Sequence, residues 1–172
     1  MPAPKLYLTC REAAGTVRAM TSDPANSPMD LALAEAEAAA ARGEVPVGAV
    51  VVDAKGVVLA RAGNRTLELK DPTAHAEMLA IREAAAVLGS ERLIGCDLYV
   101  TLEPCPMCAG AISFARVRRL YFGASDEKSG GVEHGPRVFS HATCHHAPDV
   151  YGGMSERRAA ILLKDFFALR RG

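Results

Sequence analysis

The sequence lacks the features that would place the protein in several special classes. No stretch of 18 apolar residues free of charge occurs among its 172 residues, so a transmembrane helix is not predicted. Net charge is absent too, because 20 basic and 20 acidic residues cancel. A nucleic-acid partner would therefore be held by a local basic patch rather than by a global field. The five cysteines are too few, and odd in number, to predict a disulfide scaffold, and they favour a reducing, cytoplasmic location.

The first 29 residues lack a sustained hydrophobic period. They are rich in Pro, Ser, Ala and Thr, and no continuous apolar stretch follows their basic residues, so they make a poor secretory signal. We predict a disordered tail over residues 1–29 and one domain over residues 30–172. That domain is long enough to bury a sizeable core.

Helical and extended patterns alternate along the domain. We predict helices over 30–42, from Asp71 or Thr73 to Gly89, over 106–115 with Ile112 and Phe114 buried, and from Ser155 onward with Ile161, Leu162, Phe166 and Leu169 facing inward. We predict strands over 45–52, 57–62, 97–101 and 118–123, the first two joined by a turn at 53–56. A long connection covers 124–153. Interleaved strands and helices predict a three-layer α/β/α sandwich.

Two short motifs carry ligand-type residues. His75-Ala76-Glu77 and Pro104-Cys105-Pro106-Met107-Cys108 each lie at the start of a predicted helix, where the helix dipole favours a thiolate. One histidine nitrogen and two thiolates supply three corners of a tetrahedral zinc site and leave the fourth open, as in catalytic zinc sites. Magnesium and calcium prefer oxygen ligands. Glu77, two residues after the histidine, is placed to move protons on and off a zinc-bound water.

Each motif also has a simpler interpretation. C-x-x-C alone is typical of thioredoxin-like redox proteins, His75 alone of a satisfied polar group, and Glu77 alone of a solvated helix. Together they match H-x-E…P-C-x-x-C, the established signature of zinc-dependent nucleobase deaminases. The joint pattern therefore favours hydrolytic zinc chemistry.

Other clusters remain open between two interpretations. Cys144-His145-His146, with His141 or His134, could hold a second zinc, or could order the long connection or contact substrate. Basic residues after the C-x-x-C helix and in the last helix are either solvated faces or a phosphate-binding rim; they are Arg116, Arg118, Arg119, Arg157, Arg158, Lys164, Arg170 and Arg171. In the second case Phe166 or Phe167 would stack on a base.

The chain also resembles a known family over residues 30–171. The matching stretches are 44–50 (EVPVGAV), 63–65 (GNR), 71–77 (DPTAHAE), 98–105 (LYVTLEPC), 108–111 (CAGA), 121–124 (YFGA) and 165–171 (DFFALRR). They resemble bacterial tRNA-specific adenosine deaminases of the cytidine-deaminase-like superfamily. That resemblance implies a five-stranded mixed sheet, a homodimer, and conversion of adenosine to inosine at the wobble position of a tRNA anticodon stem-loop.

The resemblance also implies roles for individual residues. His75, Cys105 and Cys108 would bind one zinc ion per subunit, and Glu77 would transfer protons. The implied substrate contacts are Asn64 with the flipped nucleoside, Val47 and the Ala76 backbone with the base, Asp126 with the neighbouring nucleotide, and Phe166, Phe167 and Arg170 with RNA.

The substrate is less closely specified than the zinc chemistry. Deaminases of free guanine or cytosine share H-A-E and E-P-C-x-x-C, so a free nucleobase or nucleoside is the alternative substrate. The EVPVG and terminal FFxxRR stretches favour tRNA. Residues 131–152 depart from the commoner form of the family. A non-catalytic zinc-stabilised subunit predicts loss of Glu77, and Glu77 is present.

Overall fold

A computed structural model describes residues 27–170. Its helices are α1 (Pro28–Ala41), α2 (Thr66–Leu69), α3 (Ala76–Leu88), α4 (Pro106–Phe114) and α5 (Glu156–Leu169). Its strands are β1 (Gly48–Val52), β2 (Val58–Gly63), β3 (Asp97–Leu102), β4 (Arg119–Ala124) and β5 (Asp149–Tyr151), and a 3-10 turn spans Val138–Ser140. Within residues 27–170, no helix has the length and apolarity needed to cross a bilayer.

Helix α1 begins earlier than the sequence pattern predicted. Ser27 is its N-cap: the Ser27 hydroxyl accepts from the Asp30 N–H, and the Asp30 carboxylate accepts from the Ser27 N–H. This reciprocal pair satisfies two donors that a helix start leaves free. The predicted tail therefore extends too far at its end, because Met29 is buried in α1. Residues 1–26 of that tail lie outside the described residues.

The five strands form one mixed sheet in the order β2-β1-β3-β4-β5. Strand β1 is antiparallel to β2 and β3, whereas β3, β4 and β5 run parallel. The mixed five-stranded sheet implied by the resemblance is confirmed. The carboxyl ends of β3 and β4 lie side by side, because Leu102 pairs with Ala124.

Helices cover both faces of the sheet. Because side chains alternate along a strand, Ala49 and Val51 pack in one cluster with α3 and α4, whereas Val50 and Val52 pack in another with α1 and α5. The predicted three-layer α/β/α sandwich is therefore confirmed. Gly48 allows α1 to lie against the sheet, since a Cβ there would meet the Ala32 carbonyl oxygen at 1.9 Å.

Several details differ from the pattern-based prediction. Phe114 is 67% exposed, and Ile161 and Leu169 are 48% and 85% exposed, so these three side chains do not face inward. Strand β5 was not recognised in the 124–153 connection. It has only three residues and is defined by pairing with β4, where Tyr151 stacks on Tyr121 with ring centroids 4.9 Å apart.

Helix α3 also begins later than predicted. Asp71 accepts from the N–H and hydroxyl of Thr73 in a turn of its own, so neither residue caps the helix. His75 is the N-cap, and the first helical N–H, that of Ala76, donates to Asn64 Oδ1 at 2.8 Å. The side-chain amide of Asn64, in the segment after β2, therefore caps α3.

Candidate active site

Three ligand atoms converge where the N-termini of α3 and α4 meet. His75 is the N-cap of α3, Cys105 is the N-cap of α4, and Cys108 lies in the first turn of α4. His75 Nδ1 lies 3.5 Å from Cys108 Sγ and 3.7 Å from Cys105 Sγ, and all three ligand atoms lie within 4.8 Å of one another. Zn–S bonds of about 2.3 Å and Zn–N bonds of about 2.05 Å at tetrahedral angles would separate sulfur from nitrogen by about 3.6 Å. The residues fit a zinc ion.

The electrostatics of the cluster also suit a metal cation. A hydrogen bond from Cys108 lowers the pKa of Cys105 to about 4 against the opposing effect of burial, and His75 lowers it further. The same shared hydrogen raises the pKa of Cys108. The lowered pKa favours a thiolate at Cys105, and the two helix N-termini favour that negative charge.

Glu77 lies in the first turn of α3, directly after the ligand-bearing N-cap. It is 4% exposed, and burial raises the pKa of its carboxyl group. A raised pKa brings a carboxyl group closer to the range in which general acid–base catalysis is most effective. It is not one of the three clustered ligands.

His75, Glu77 and Cys105 line a pocket of about 210 Å³. The structure brings six predicted site residues to its wall: Val47, Asn64, His75, Glu77, Cys105 and Asp126. Cys108 lies behind Cys105 and is fully buried. The pocket therefore combines two members of the ligand cluster, a buried carboxyl group and a small set of polar and apolar side chains, as expected for a small-molecule or base site.

Four predicted substrate residues do not line this pocket. The Ala76 side chain is packed in the core, and its N–H is already bonded to Asn64. Phe166 is 8% exposed and lies under the Arg170 guanidinium, 4.2 Å from the ring centroid, so its ring is not open to a stacking base. Arg170 donates to the Gly43 carbonyl, and Phe167 is 43% exposed beside Phe166.

Two buried glutamates near the pocket were missed as functional candidates. Glu103, on the pocket wall, is 2% exposed and accepts hydrogen bonds from the residue 126–134 segment. Glu44, 1% exposed, accepts from the hydroxyl of Thr66 and the N–H groups of Leu67 and Glu68 at the start of α2. The sequence signal that could have identified Glu103 is its position as an acidic residue between an apolar strand and a proline.

The second cysteine and histidine cluster does not form a metal site. Within residues 27–170, the His75 group is the one place where three His, Cys, Asp or Glu ligands converge. Cys144 Sγ instead lies 3.4 Å from Ser113 Oγ, and His146 Nε2 lies 2.7 Å from the Val117 carbonyl. These contacts attach the long connection to α4 and to the segment before β4.

The basic residues are largely engaged with other groups. Arg118 donates two hydrogen bonds to Asp97, and Arg158 donates to Asp30. Arg116 donates to the His145 carbonyl. Arg171 lies outside the described residues. These pairings support the solvated-face interpretation for Arg118 and Arg158.

Comparison with known proteins places this arrangement in a family. Residues 23–124 match the cytidine and deoxycytidylate deaminase zinc-binding region. The chain belongs to this family. A tRNA-specific adenosine deaminase of Agrobacterium fabrum is 62% identical over 143 residues, which are 83% of this chain and 93% of that protein. One from Aquifex aeolicus is 46% identical over 140 residues, which are 81% of this chain and 91% of that protein.

Two solved structures with different named activities are similar to this chain. A structure from a study of A-to-I editing by tRNA:A34 deaminases has a TM-score of 0.78 at 63% identity and covers 79% of this chain and 98% of that one. A guanine deaminase from Nitrosomonas europaea has a TM-score of 0.71 at 25% identity and covers 88% of this chain and 87% of that one.

Proposed function

We propose that this protein is a zinc-dependent hydrolytic deaminase that converts adenosine to inosine at the wobble position of a tRNA anticodon. The observation that carries the proposal is the cluster of His75, Cys105 and Cys108, of which His75 and Cys105 line one pocket with the buried carboxyl group of Glu77. Three protein ligands leave one coordination position for a reacting group, which distinguishes a catalytic site from a structural one. We assign one zinc ion to each subunit.

The chemistry divides between the metal and one side chain. A zinc ion held by these ligands would supply a water nucleophile at neutral pH by lowering the pKa of that water to about 7. The carboxylate of Glu77 would accept a proton from this water. It would then return the proton to the exocyclic amino group on C6 of adenine, so that this group leaves as ammonia. Burial raises the pKa of the Glu77 carboxyl group, which favours its acting both as acceptor and as donor of a proton.

The pocket wall holds the base and sugar. A target base is turned out of its stack to enter such a pocket. We assign Asn64 to the nucleoside, Val47 and the backbone near Ala76 to the base, and Asp126 to the adjacent nucleotide; of these, the side chains of Asn64, Val47 and Asp126 line the pocket. Phe167 and Arg170, both exposed, are candidate RNA contacts outside it. The ring of Phe166 packs against the Arg170 guanidinium group.

Sequence similarity favours tRNA over a free base. The tRNA-specific relative from Agrobacterium fabrum is 62% identical to this chain over 143 matched residues, whereas the guanine deaminase is 25% identical. Free guanine or another nucleobase remains the alternative, because that enzyme has the same fold. We place the protein in the cytoplasm, where its proposed substrate is found.

A homodimer is the proposed assembly. Helix α4 exposes Met107 and Phe114, and a cavity of about 300 Å³ with a largely apolar wall lies between α4 and residues 136–145. Contiguous exposed apolar surface of this kind is typical of an interface. Sedimentation equilibrium of wild type and Phe114→Glu tests it: the wild type is expected at twice the monomer mass and the variant at a lower mass.

The function is tested by substrate comparison. Purified enzyme is incubated with an anticodon stem-loop carrying adenosine at the wobble position, and separately with free adenosine, guanine and cytosine. We expect inosine in the stem-loop and no ammonia from the free bases or nucleoside. Turnover of guanine alone would replace the proposed substrate with the alternative.

A further inference from the structure

The segment that follows β4 is folded around one buried carboxylate. Asp126 and Ser129 on this segment line the active-site pocket, as does Glu103 at the end of β3. The side chain of Glu103 has no exposed surface. The distance in sequence between Glu103 and residues 126–134 means that their contact is set by tertiary structure alone.

Both oxygens of Glu103 are used by this segment. Oε1 accepts from three successive backbone N–H groups, those of Val132, Glu133 and His134, at 3.2, 2.8 and 3.0 Å. Oε2 accepts from the Asp126 N–H at 3.0 Å and lies 2.7 Å from His134 Nδ1. The carboxylate therefore joins the beginning of the segment to its end.

His134 supplies the one side-chain partner of this carboxylate. Within residues 27–170, Glu103 forms an ion pair with His134 Nδ1, and no arginine or lysine side chain pairs with the Glu103 carboxylate. A carboxylate only accepts hydrogen bonds, so Nδ1 carries the proton in this contact. Such charge-assisted bonds are roughly twice as strong as neutral ones.

The turn between these two ends presents the pocket residues. Asp126 Oδ1 accepts from the N–H groups of Lys128 and Ser129, and the Asp126 carbonyl accepts from the Gly130 N–H. Gly130 then passes so close to Glu103 that a Cβ would meet its carboxyl carbon at 2.6 Å. Displacing Glu103 would move this turn, and with it Asp126 and Ser129.

We propose that His134 is a positioning residue for substrate: through its hydrogen bond to Glu103 it holds the turn that carries Asp126 and Ser129 at the pocket wall. Its role rests on the proposed function, since Asp126 is assigned to the adjacent nucleotide and Ser129 lines the same pocket. His134 touches neither the ligand cluster nor Glu77 in any contact that the structure records. Its loss should therefore weaken substrate binding more than it slows the chemical step.

The test compares three variants of the zinc-loaded enzyme. His134→Ala removes the donor, and His134→Asn retains one, because an Asn side-chain nitrogen occupies nearly the position of histidine Nδ1. His141→Ala is the matched control, because His141 is exposed in the same connection and bonds only the Pro136 carbonyl. Steady-state kinetics on the anticodon stem-loop and amide hydrogen exchange of residues 126–134 are measured for each.

We expect His134→Ala to raise KM about tenfold, while kcat stays within about twofold of wild type. A tenfold change corresponds to about 1.4 kcal/mol, roughly the contribution of one hydrogen bond to a charged group. Exchange of the Asp126 and Val132 to His134 amides should rise about tenfold, and His134→Asn should restore both quantities. Unchanged KM and exchange, or a general rise in exchange over the sheet with loss of kcat, would overturn the proposal. Absence of stem-loop turnover by wild type would instead refute the proposed function, while the exchange data would still decide whether His134 holds the turn.

Discussion

Two buried carboxylates face the same pocket from different elements. Glu77 lies in the first turn of α3, and Glu103 follows the last residue of β3. Their exposed fractions are 4% and 2%, so burial alone would treat them alike. Their pKa values nevertheless move in opposite directions, raised for Glu77 and lowered to about 2 for Glu103.

The difference lies in the hydrogen-bond donors around each group. Burial is the largest influence on both and raises both pKa values. Around Glu103, the N–H groups of Asp126, His134 and Glu133 and the His134 side chain outweigh it. Around Glu77, burial prevails over its own backbone hydrogen bond and the attraction of His75.

The comparison shows how one residue type serves two purposes in one pocket. A carboxylate that accepts several hydrogen bonds stays ionised and acts as a fixed point for the chain. A carboxylate that is buried with fewer donors can take up and release a proton. The surroundings, rather than the residue type, therefore separate the proton-transfer group from the structural one.

Glu77→Gln should have the largest effect. The amide preserves shape but cannot transfer a proton, so kcat on the stem-loop should fall about 10³-fold, within the range for general acid–base groups. Zinc content, measured by elemental analysis, should stay at one ion per chain. Glu83→Gln, an exposed change on the same helix, is the control. Activity of the Glu77 variant within tenfold of wild type would remove Glu77 from the mechanism.

Glu103→Gln should mainly reduce stability. The glutamine NH₂ group replaces one of the two carboxylate oxygens. It then faces either the donors of Asp126 and His134 or the three backbone donors that now bond Oε1. In both cases buried N–H groups lose their acceptor. We expect the free energy of unfolding in urea to fall by about 3 kcal/mol. Exposed Glu133→Gln in the same segment should change it by less than about 0.5 kcal/mol. Equal effects of the two substitutions would contradict the role given to Glu103.

The same comparison predicts a pH dependence. Glu103 has a pKa of about 2 in the folded protein against an ordinary value of 4.5, so its stabilisation is complete above about pH 4.5 and is lost as pH falls toward 2. The stability difference between wild type and Glu103→Gln should therefore shrink by about half at pH 3, as followed by urea unfolding. A difference that does not change with pH would show that Glu103 titrates normally.

The ligand cluster could be predicted from the sequence because its determinants are local. His75, Cys105 and Cys108 lie at fixed offsets within helix-starting motifs, and the structure places their ligand atoms together. The fully buried β1 follows from its continuous apolar run, and α3 follows from its apolar stripe at helical spacing. These parts of the fold were predicted to within a few residues.

The remaining features depend on contacts between distant segments. The donors to Glu103 come from residues 23 to 31 positions away, and no local pattern records them. Strand β5 is extended because β4 pairs with it. Helix α4 is apolar on most of its surface, so its period could not reveal that Phe114 faces outward. Sequence therefore predicted the clustering of His75, Cys105 and Cys108 better than it predicted the pocket wall.

Glu44→Gln should give the smallest effect and sharpen the comparison. Like Glu103, Glu44 is buried and accepts hydrogen bonds from the backbone: its Oε1 accepts from the N–H groups of Leu67 and Glu68, while Oε2 faces the Thr66 hydroxyl. A glutamine can keep its oxygen on the two amides and donate its NH₂ to the hydroxyl, which can also accept. Unfolding free energy should therefore change by less than about 1 kcal/mol.

Urea unfolding of Glu44→Gln beside exposed Glu37→Gln, a change on α1, measures this difference. A loss as large as that of Glu103→Gln would mean that negative charge, rather than the number of acceptors, is what the buried amides require. A small loss would mean that the hydrogen-bond partners decide the outcome. Both oxygens of Glu103 face N–H groups, which can only donate, whereas one oxygen of Glu44 faces a hydroxyl group, which can also accept.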